Sequence, residues 1–564
     1  MNLSPERKIA GVLAPLFALR REDDLGVGDI AALREFIDWA VEIGFKLVQM
    51  LPINETGGDN SPYNAISSRA LEPTTLHFAP GSPEDLTRQD FDAAIADVDL
   101  TKLRRGSVKY RRVKKLKQQL LEKAFSNFAH AAQDRQAHFQ QFCADEAEWL
   151  DDYTFFRALM ETNRGSEVWD QWRPKQQTIE KAREWLRDLP QDRQSRFASR
   201  QNFFRYVQWI AHEQWRQIRS YASERGVALM GDIPFGVSYY SADVFSQPNE
   251  FLLDWSGGAP PEPYFKDDEF TQKWGQNWGI PLYRWDAMRA NHFAWWRQRV
   301  RGVREIFDVF RIDHVFGFYR IYAFPWRPTR NQEFLPLDRQ EMLQQTNGRE
   351  PGFAPRGDDA HEDCEANRRD GEEYLRTVLE ECGDTRVAGE DLGTVPNYVR
   401  PNLRSLGIAG FKIPQWETQH DRVIPGSEYE RLSVTTYATH DHKPIRAMWE
   451  EAVEEEGSTS SQARQDLNRM ADFAGFKPPE HPIDFERHFY PAIMDALFAS
   501  NAWIAVVMLT DLLARKYRFN VPGTAANSNW TRRMQRTVAQ LRSSRTEQRR
   551  MRVIRELLEK NGRL

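Results

Sequence analysis

An α/β protein, its parallel strands closed into a (β/α)8 TIM barrel, is predicted by three observations. Eight short apolar runs recur along the chain, several bordered by amphipathic helical patterns. The runs are apolar nearly throughout rather than alternating, as strands buried on both faces are. Polar and titratable residues gather at their C-terminal ends, where sites form in such barrels. Strands alternating with helices would also suit an open, doubly wound sheet; the count of eight favours closure.

Taken in order, the first run is GVLAPLFAL (11–19), followed by DIAALREFIDWAVEIG (29–44). Asp29 is an N-cap, Leu33, Phe36, Ile37, Ala40 and Val41 form one apolar face, and Gly44 is the C-terminal stop. About 175 residues separate the second run, KLVQMLP (46–52), from the third, VALMGDIP (227–234), too many for a barrel connection. Within them, VKYRRVKKLKQQLLEKAFSNFAHAAQ (108–133) spaces Val113, Leu116, Leu120, Ala124 and Phe128 as one helical face. Residues 80–200 are therefore read as an inserted, mostly helical subdomain. A further helix, 201–226, ends at Gly226 just before the third strand. The remaining runs are VFRIDHVFG (309–317), VAGEDLG (387–393), GIAGFKI (407–413), SVTTYATHD (433–441) and AWIAVVML (502–509). Residues 240–290 read as a substrate-loop insertion. The polar, Gly- and Pro-bearing stretch 330–372 reads as a long loop or small insertion over the barrel top. The C-terminus, from Asn529, reads as one or two basic surface helices. The whole chain, 1–564, is one catalytic barrel unit.

The net charge of −5 gives no global field that would favour nucleic acid or an anionic membrane. The basic stretch KLRRGSVKYRRVKKLK (102–117) is accordingly a solvated helix face rather than a nucleic-acid site. The cysteines, Cys143, Cys364 and Cys382, are few and far apart, which suits a reducing compartment and offers no metal pair. The start lacks an apolar signal core, and the run 502–513 is interrupted by Asp511 and too short for a bilayer. A cytoplasmic enzyme, monomer or homodimer, is expected.

Three carboxyl groups stand at separate strand ends: Asp313, Glu390 and Asp441. Retaining glycoside chemistry needs one carboxylate to attack the anomeric carbon and a second, protonated carboxyl to release the leaving oxygen. Arg311, two residues before Asp313 on the same strand face, would hold Asp313 ionised. Asp391, beside Glu390, would help Glu390 keep its proton. An Arg-x-Asp pair taken alone is as a rule a structural ion pair; three such groups in a chain with barrel patterning point to catalysis. His314, His440 and His442 are metal-ligand types, but no paired-His helical spacing accompanies them, and neither a metal nor an organic cofactor follows. Around these groups DNSPYN (59–64), PPEPYF (260–265), GQNWGIPLYRW (275–285) and RFNVPGT (518–524) supply flat aromatic faces and amides suited to sugars. Tyr63, Tyr264, Gln276, Trp278 and Asn520 are the candidates.

The blocks LVQMLPIN, SPYNAIS, GVALMGDIPFGV, SADVF, GQNWGIPLY, FRIDHVFGFYR, GEDLG and THD, in this order, resemble the 4-α-glucanotransferase (amylomaltase, or disproportionating enzyme) family over almost the whole chain. The resemblance implies Asp313 as nucleophile, Glu390 as acid/base and Asp441 as transition-state stabiliser. It sets Arg311, His314 and His440 at the donor sugar and Ser61, Tyr63, Gln276, Trp278 and Asn520 along the cleft. The implied partners are a glucan or maltooligosaccharide donor and a glucose or oligosaccharide acceptor. DDLGVGD and GAPP…GQNWG stand closer to the plant-type cytosolic branch, whose N-terminal starch-binding modules the sequence does not contain. Departures from the family pattern are His442-Lys443-Pro444 after THD, Gly236, Tyr240, Ile280 and Pro263; they bear on chain-length preference more than on the reaction. A retaining hydrolase and an inactive glucan-binding homologue are the alternatives.

Overall fold

A computed structural model describes residues 3–262, 268–454, 462–475, 484–522, 524 and 528–564. Eight strands form the closed barrel: β1 (Ile9–Leu13), β2 (Leu47–Gln49), β3 (Ala228–Ile233), β4 (Val309–Ile312), β5 (Arg386–Gly389), β6 (Ala409–Lys412), β7 (Ser433–Thr435) and β8 (Ile504–Met508). Each pairs in parallel with its sequence neighbours, and β8 closes on β1 with Ile9 opposite Ile504 and Leu13 opposite Met508. Each of the eight apolar runs of the sequence overlaps one barrel strand. The first strand begins two residues earlier than its run, and the rest of that run turns into a short 3-10 helix, Leu16–Ala18.

Helix α1 (Ile30–Ile43) follows β1. The Asp29 carboxylate caps it by accepting from the Ala32 N–H at 2.9 Å, and Gly44 ends it at φ 107°. Leu33, Phe36, Ile37 and Ala40 are buried as expected; Val41 is 37% exposed and lies off the apolar face. Between β2 and β3 the chain runs through α2 (Tyr110–Phe128), several shorter helices and α3 (Gln191–Glu224). All five residues spaced along α2 are buried. The long α3 serves two layers: Trp215, Ile218 and Ala222 join the barrel core, while Phe197 packs with Phe155 and Phe156 of the preceding helices.

Two regions depart from the sequence reading. The strands Phe251–Ala259, Gln276–Tyr283, Ile321–Phe324 and Gly352–Ala354 form an antiparallel sheet beside the barrel. Residues 330–372, read as a long loop or small insertion, include helices Asn331–Phe334 and Arg339–Gln345 and the start of His361–Cys382, and so form a structured insertion rather than a loop. Phe270, Phe324, Trp326, Phe334 and Met342 give this lobe its own small core. The C-terminal helices Val538–Ser543 and Arg545–Lys560 are not mere surface additions. They turn their basic faces outward and bury Val538, Leu541, Ile554 and Leu558.

Candidate active site

The barrel register builds the centre of the site. Asp232, near the end of β3, stands opposite Arg311 on β4, and laterally paired residues of a parallel sheet project from the same face. Arg311 Nη1 donates to both Asp232 oxygens at 2.8 Å. Its Nη2 lies 2.6 Å from Asp313 Oδ1 and 3.9 Å from Glu390 Oε2. One nitrogen therefore faces both carboxyl groups, and those two oxygens are no more than about 6.5 Å apart, the sum of the two distances. Retaining pairs stand about 5–5.5 Å apart and inverting pairs about 6.5–9.5 Å.

Glu390 is fixed by two backbone donors, His314 N–H to Oε2 at 3.0 Å and Leu392 N–H to Oε1 at 2.9 Å. Burial pushes its pKa up against the pull of Arg311, the Asp313 charge adds to the rise, and the result is about 7. Asp391 plays no part, contrary to the sequence reading. Its side chain turns to the other side of the strand, accepts from the Phe411 N–H at 2.7 Å and pairs with Arg400 at 3.0 Å. Successive residues at a strand end face opposite ways.

A second arm comes from β7 and the segment after β8. Asp441 Oδ2 is 3.1 Å from His440 Nε2, and Oδ1 accepts from the Asn520 amide at 2.6 Å. Burial opposes ionisation of Asp441, but His440 and Asn520 outweigh it and hold the carboxyl well below the usual range. Burial alone would lower the His440 pKa; Asp441 reverses this and raises it. Tyr63 joins the two arms. Its hydroxyl donates to Asp232 Oδ2 at 2.7 Å, and its ring stacks on His440 with centroids 4.9 Å apart. Ser61 Oγ accepts from the Tyr63 N–H at 3.3 Å and shapes the turn that presents the ring.

His314 holds a left-handed backbone, φ 52°, which aims its N–H at Glu390. Burial lowers its pKa to about 4, so the ring is neutral at physiological pH. Its Nε2 is buried without a partner among the described residues, as a group awaiting a ligand hydroxyl would be. Trp278 stands edge-on to it at 4.8 Å and donates from Nε1 to Gln276 Oε1 at 3.2 Å. Tyr264 and Pro263 lie outside the described residues.

The family departures find physical reasons here. A Cβ on Gly236 would lie 2.3 Å from Ile280 Cδ1, so the isoleucine occupies the space that glycine leaves. The Tyr240 hydroxyl accepts from Arg327 at 3.2 Å, and Arg327 also pairs with Asp170 at 3.0 Å. Sequence reasoning gave Asp232 no role beyond the general gathering of polar residues at strand ends and did not single out Trp416. Neither the register partner of Asp232 nor the exposure of Trp416 has a local sequence signal. Among the described residues no three His, Cys, Asp or Glu side chains are grouped to hold a metal ion. Nor, among those residues, is any helix long and apolar enough to cross a membrane.

A family model described as 4-alpha-glucanotransferase matches residues 14–539. The 4-alpha-glucanotransferase of Chlamydia caviae is 29% identical over 546 residues, 94% of this chain and 91% of that protein. That of Aquifex aeolicus is 28% identical over 549 residues, 94% of this chain and 96% of that protein. The 4-alpha-glucanotransferase DPE2 of Oryza sativa subsp. japonica is 25% identical over 650 residues, 90% of this chain and 64% of that protein. Among solved structures, an amylomaltase from Corynebacterium glutamicum superposes with a TM-score of 0.75 at 20% identity, over 98% of this chain and 75% of that one. An amylomaltase from Streptococcus agalactiae gives 0.72 at 21% identity, over 99% and 100%. At these identities the structural likeness shows the fold.

Proposed function

The chain belongs to the 4-alpha-glucanotransferase family, and from that premise we propose how its barrel mouth moves α-1,4-glucan units from one chain to another. The observation that carries the reading is the single guanidinium nitrogen of Arg311 facing both Asp313 and Glu390. Asp313, partly open to solvent and beside that cation, is the nucleophile. It attacks the anomeric carbon of the donor while Glu390, protonated up to about pH 7, hands its proton to the leaving glycosidic oxygen. The departing chain leaves a glycosyl ester on Asp313. Glu390, now a carboxylate, takes the proton of an acceptor 4-hydroxyl, and that oxygen displaces Asp313 with net retention.

Asp441, ionised and fixed by His440 and Asn520, binds hydroxyls of the sugar as its ring flattens. Gln276, Trp278 and neutral His314, in contact with one another, bind the sugar as one group, and Tyr63, with Ser61 and beside His440, as another. Transfer prevails over hydrolysis when the acceptor sugar fills the cleft and excludes water. The three free cysteines suit a cytoplasmic setting.

The test is incubation with maltotriose alone. A ladder of longer chains is expected, and Asp313→Ala is expected to abolish it. Reducing-end release without longer products would identify a hydrolase, and turnover by Asp313→Ala would refute the nucleophile.

A further inference from the structure

Four large apolar side chains stand exposed among the described residues: Val41, Val453, Trp278 and Trp416. The two tryptophans both lie at the barrel mouth, one against His314 after β4, the other in the turn after β6. Trp416 is 44% exposed, yet its backbone is pinned. Its N–H donates to Ile413 O at 2.8 Å, and the preceding Gln415 is buried with its amide donating to Tyr437 O at 2.7 Å. The indole is thus held outward by a rigid turn rather than left loose.

It leans on His442, with ring centroids 4.7 Å apart, and His442 directly follows Asp441 in the chain. His442 Nδ1 accepts from the Thr439 N–H at 2.9 Å, which leaves the ring proton on Nε2 in the neutral form. Burial lowers this imidazole to about 4, so the neutral form holds at working pH. Nε2 makes no hydrogen bond among the described residues and is not among the sealed polar atoms. A flat apolar face beside a donor of fixed tautomer is what the C–H face and hydroxyl rim of a pyranose require.

We propose that Trp416 and His442, next in the chain to Asp441, form a further glucosyl-binding subsite separate from Trp278, which engages a longer chain than the reaction centre alone can hold. The inference rests on the placement of the catalytic groups proposed above. His442-Lys443-Pro444, the stretch in which the chain departs from the family pattern, then contributes to chain-length preference through its first residue.

The test is the ratio of kcat/KM for maltoheptaose to that for maltotriose. Trp416→Ala is expected to lower this ratio about 3- to 10-fold. Trp416→Leu, which keeps apolar bulk without a flat face, should do likewise, and Trp416→Phe should retain most of the wild-type ratio. Thermal unfolding of each variant establishes that it is folded. A ratio unchanged or raised in Trp416→Ala and Trp416→Leu overturns the subsite, including the case of equal losses on both substrates. Failure of the underlying site reading shows separately, as turnover by Asp313→Asn.

Discussion

Asp232 and Arg311 stand side by side across β3 and β4, both buried, joined by two hydrogen bonds of 2.8 Å from one guanidinium nitrogen. Arg311 also faces Asp313 just after β4, Glu390 just after β5, Tyr63 from the β2–β3 connection and His440 from the segment after β7. The shared cation must serve an acid that has to keep its proton and a nucleophile that has to lose it. Asp232 takes up part of its charge. Asp232→Asn is therefore expected to move the alkaline limb of the pH–rate profile to lower pH, because Arg311 then favours ionised Glu390 more strongly. A wild-type limb in Asp232→Asn would show that the pair only holds the fold.

Glu390 is the source of that limb. With its pKa at about 7, kcat/KM should fall about tenfold per pH unit above that value. Glu390→Gln is expected to lower kcat by about 10²–10⁴ and to abolish the limb while oligosaccharide binding persists. The same shift acts on stability. The unfolded carboxyl ionises near 4.5, so between about 4.5 and 7 the folded state binds more protons and Glu390 becomes increasingly destabilising as pH rises. Wild-type rates in Glu390→Gln would remove it from the acid role.

His212 has the opposite sign. It is 2% exposed, packs against Phe142 and Trp149, and has no hydrogen bond on either ring nitrogen among the described residues. Burial, then Arg69 and Arg216, push its pKa well below 6.5; Glu305 lies 3.9 Å away. The unfolded ring takes up its proton near 6.5, so stability falls as pH drops below that value. The thermal midpoint is expected to fall more between pH 7 and pH 5 in the wild type than in His212→Leu. Equal falls would refute the assignment.

Gly236 and Ile280 should behave as a coupled pair. Gly236→Ala places a methyl group where Ile280 already sits, at a cost of about 1–3 kcal/mol. Ile280→Ala opens the space, so the double variant is expected to be more stable than the sum of the single losses predicts. Additive losses measured by thermal unfolding would mean that the backbone, and not Ile280, absorbs the strain.

Arg563, fully buried, donates to the carbonyls of Phe498, Ile9, Ser500 and Ala502 at 2.6–3.0 Å. It joins β1 to the segment entering β8, where the barrel closes. Arg563→Ala leaves several buried acceptors unpaired and is expected to cost about 3 kcal/mol or more. A thermal midpoint within about 1 °C of wild type would contradict this.

Most of the barrel was legible because continuous burial on both faces writes itself as an apolar run. The antiparallel sheet was not, since Gly257, Gly258, Gly279 and Pro281 interrupt its strands and leave no alternation to read. The lobe over 330–372 hid for a related reason: Phe334 and Met342 are its few apolar anchors in a polar stretch. Asp391 misled because sequence adjacency to Glu390 suggested a shared environment that the strand pleat denies.

The sequence by itself determined the eight barrel strands, their parallel architecture and the three carboxyl groups at strand ends, because these follow from local periodicity and from which residue ends each strand. Only the tertiary structure decided that Arg311 is shared among Asp232, Asp313 and Glu390, that Tyr63 joins the β3–β4 pair to His440, and that Trp416 is held outward beside His442. Those relations depend on the register between strands and on turns brought together from distant parts of the chain, and neither is encoded in the order of neighbouring residues.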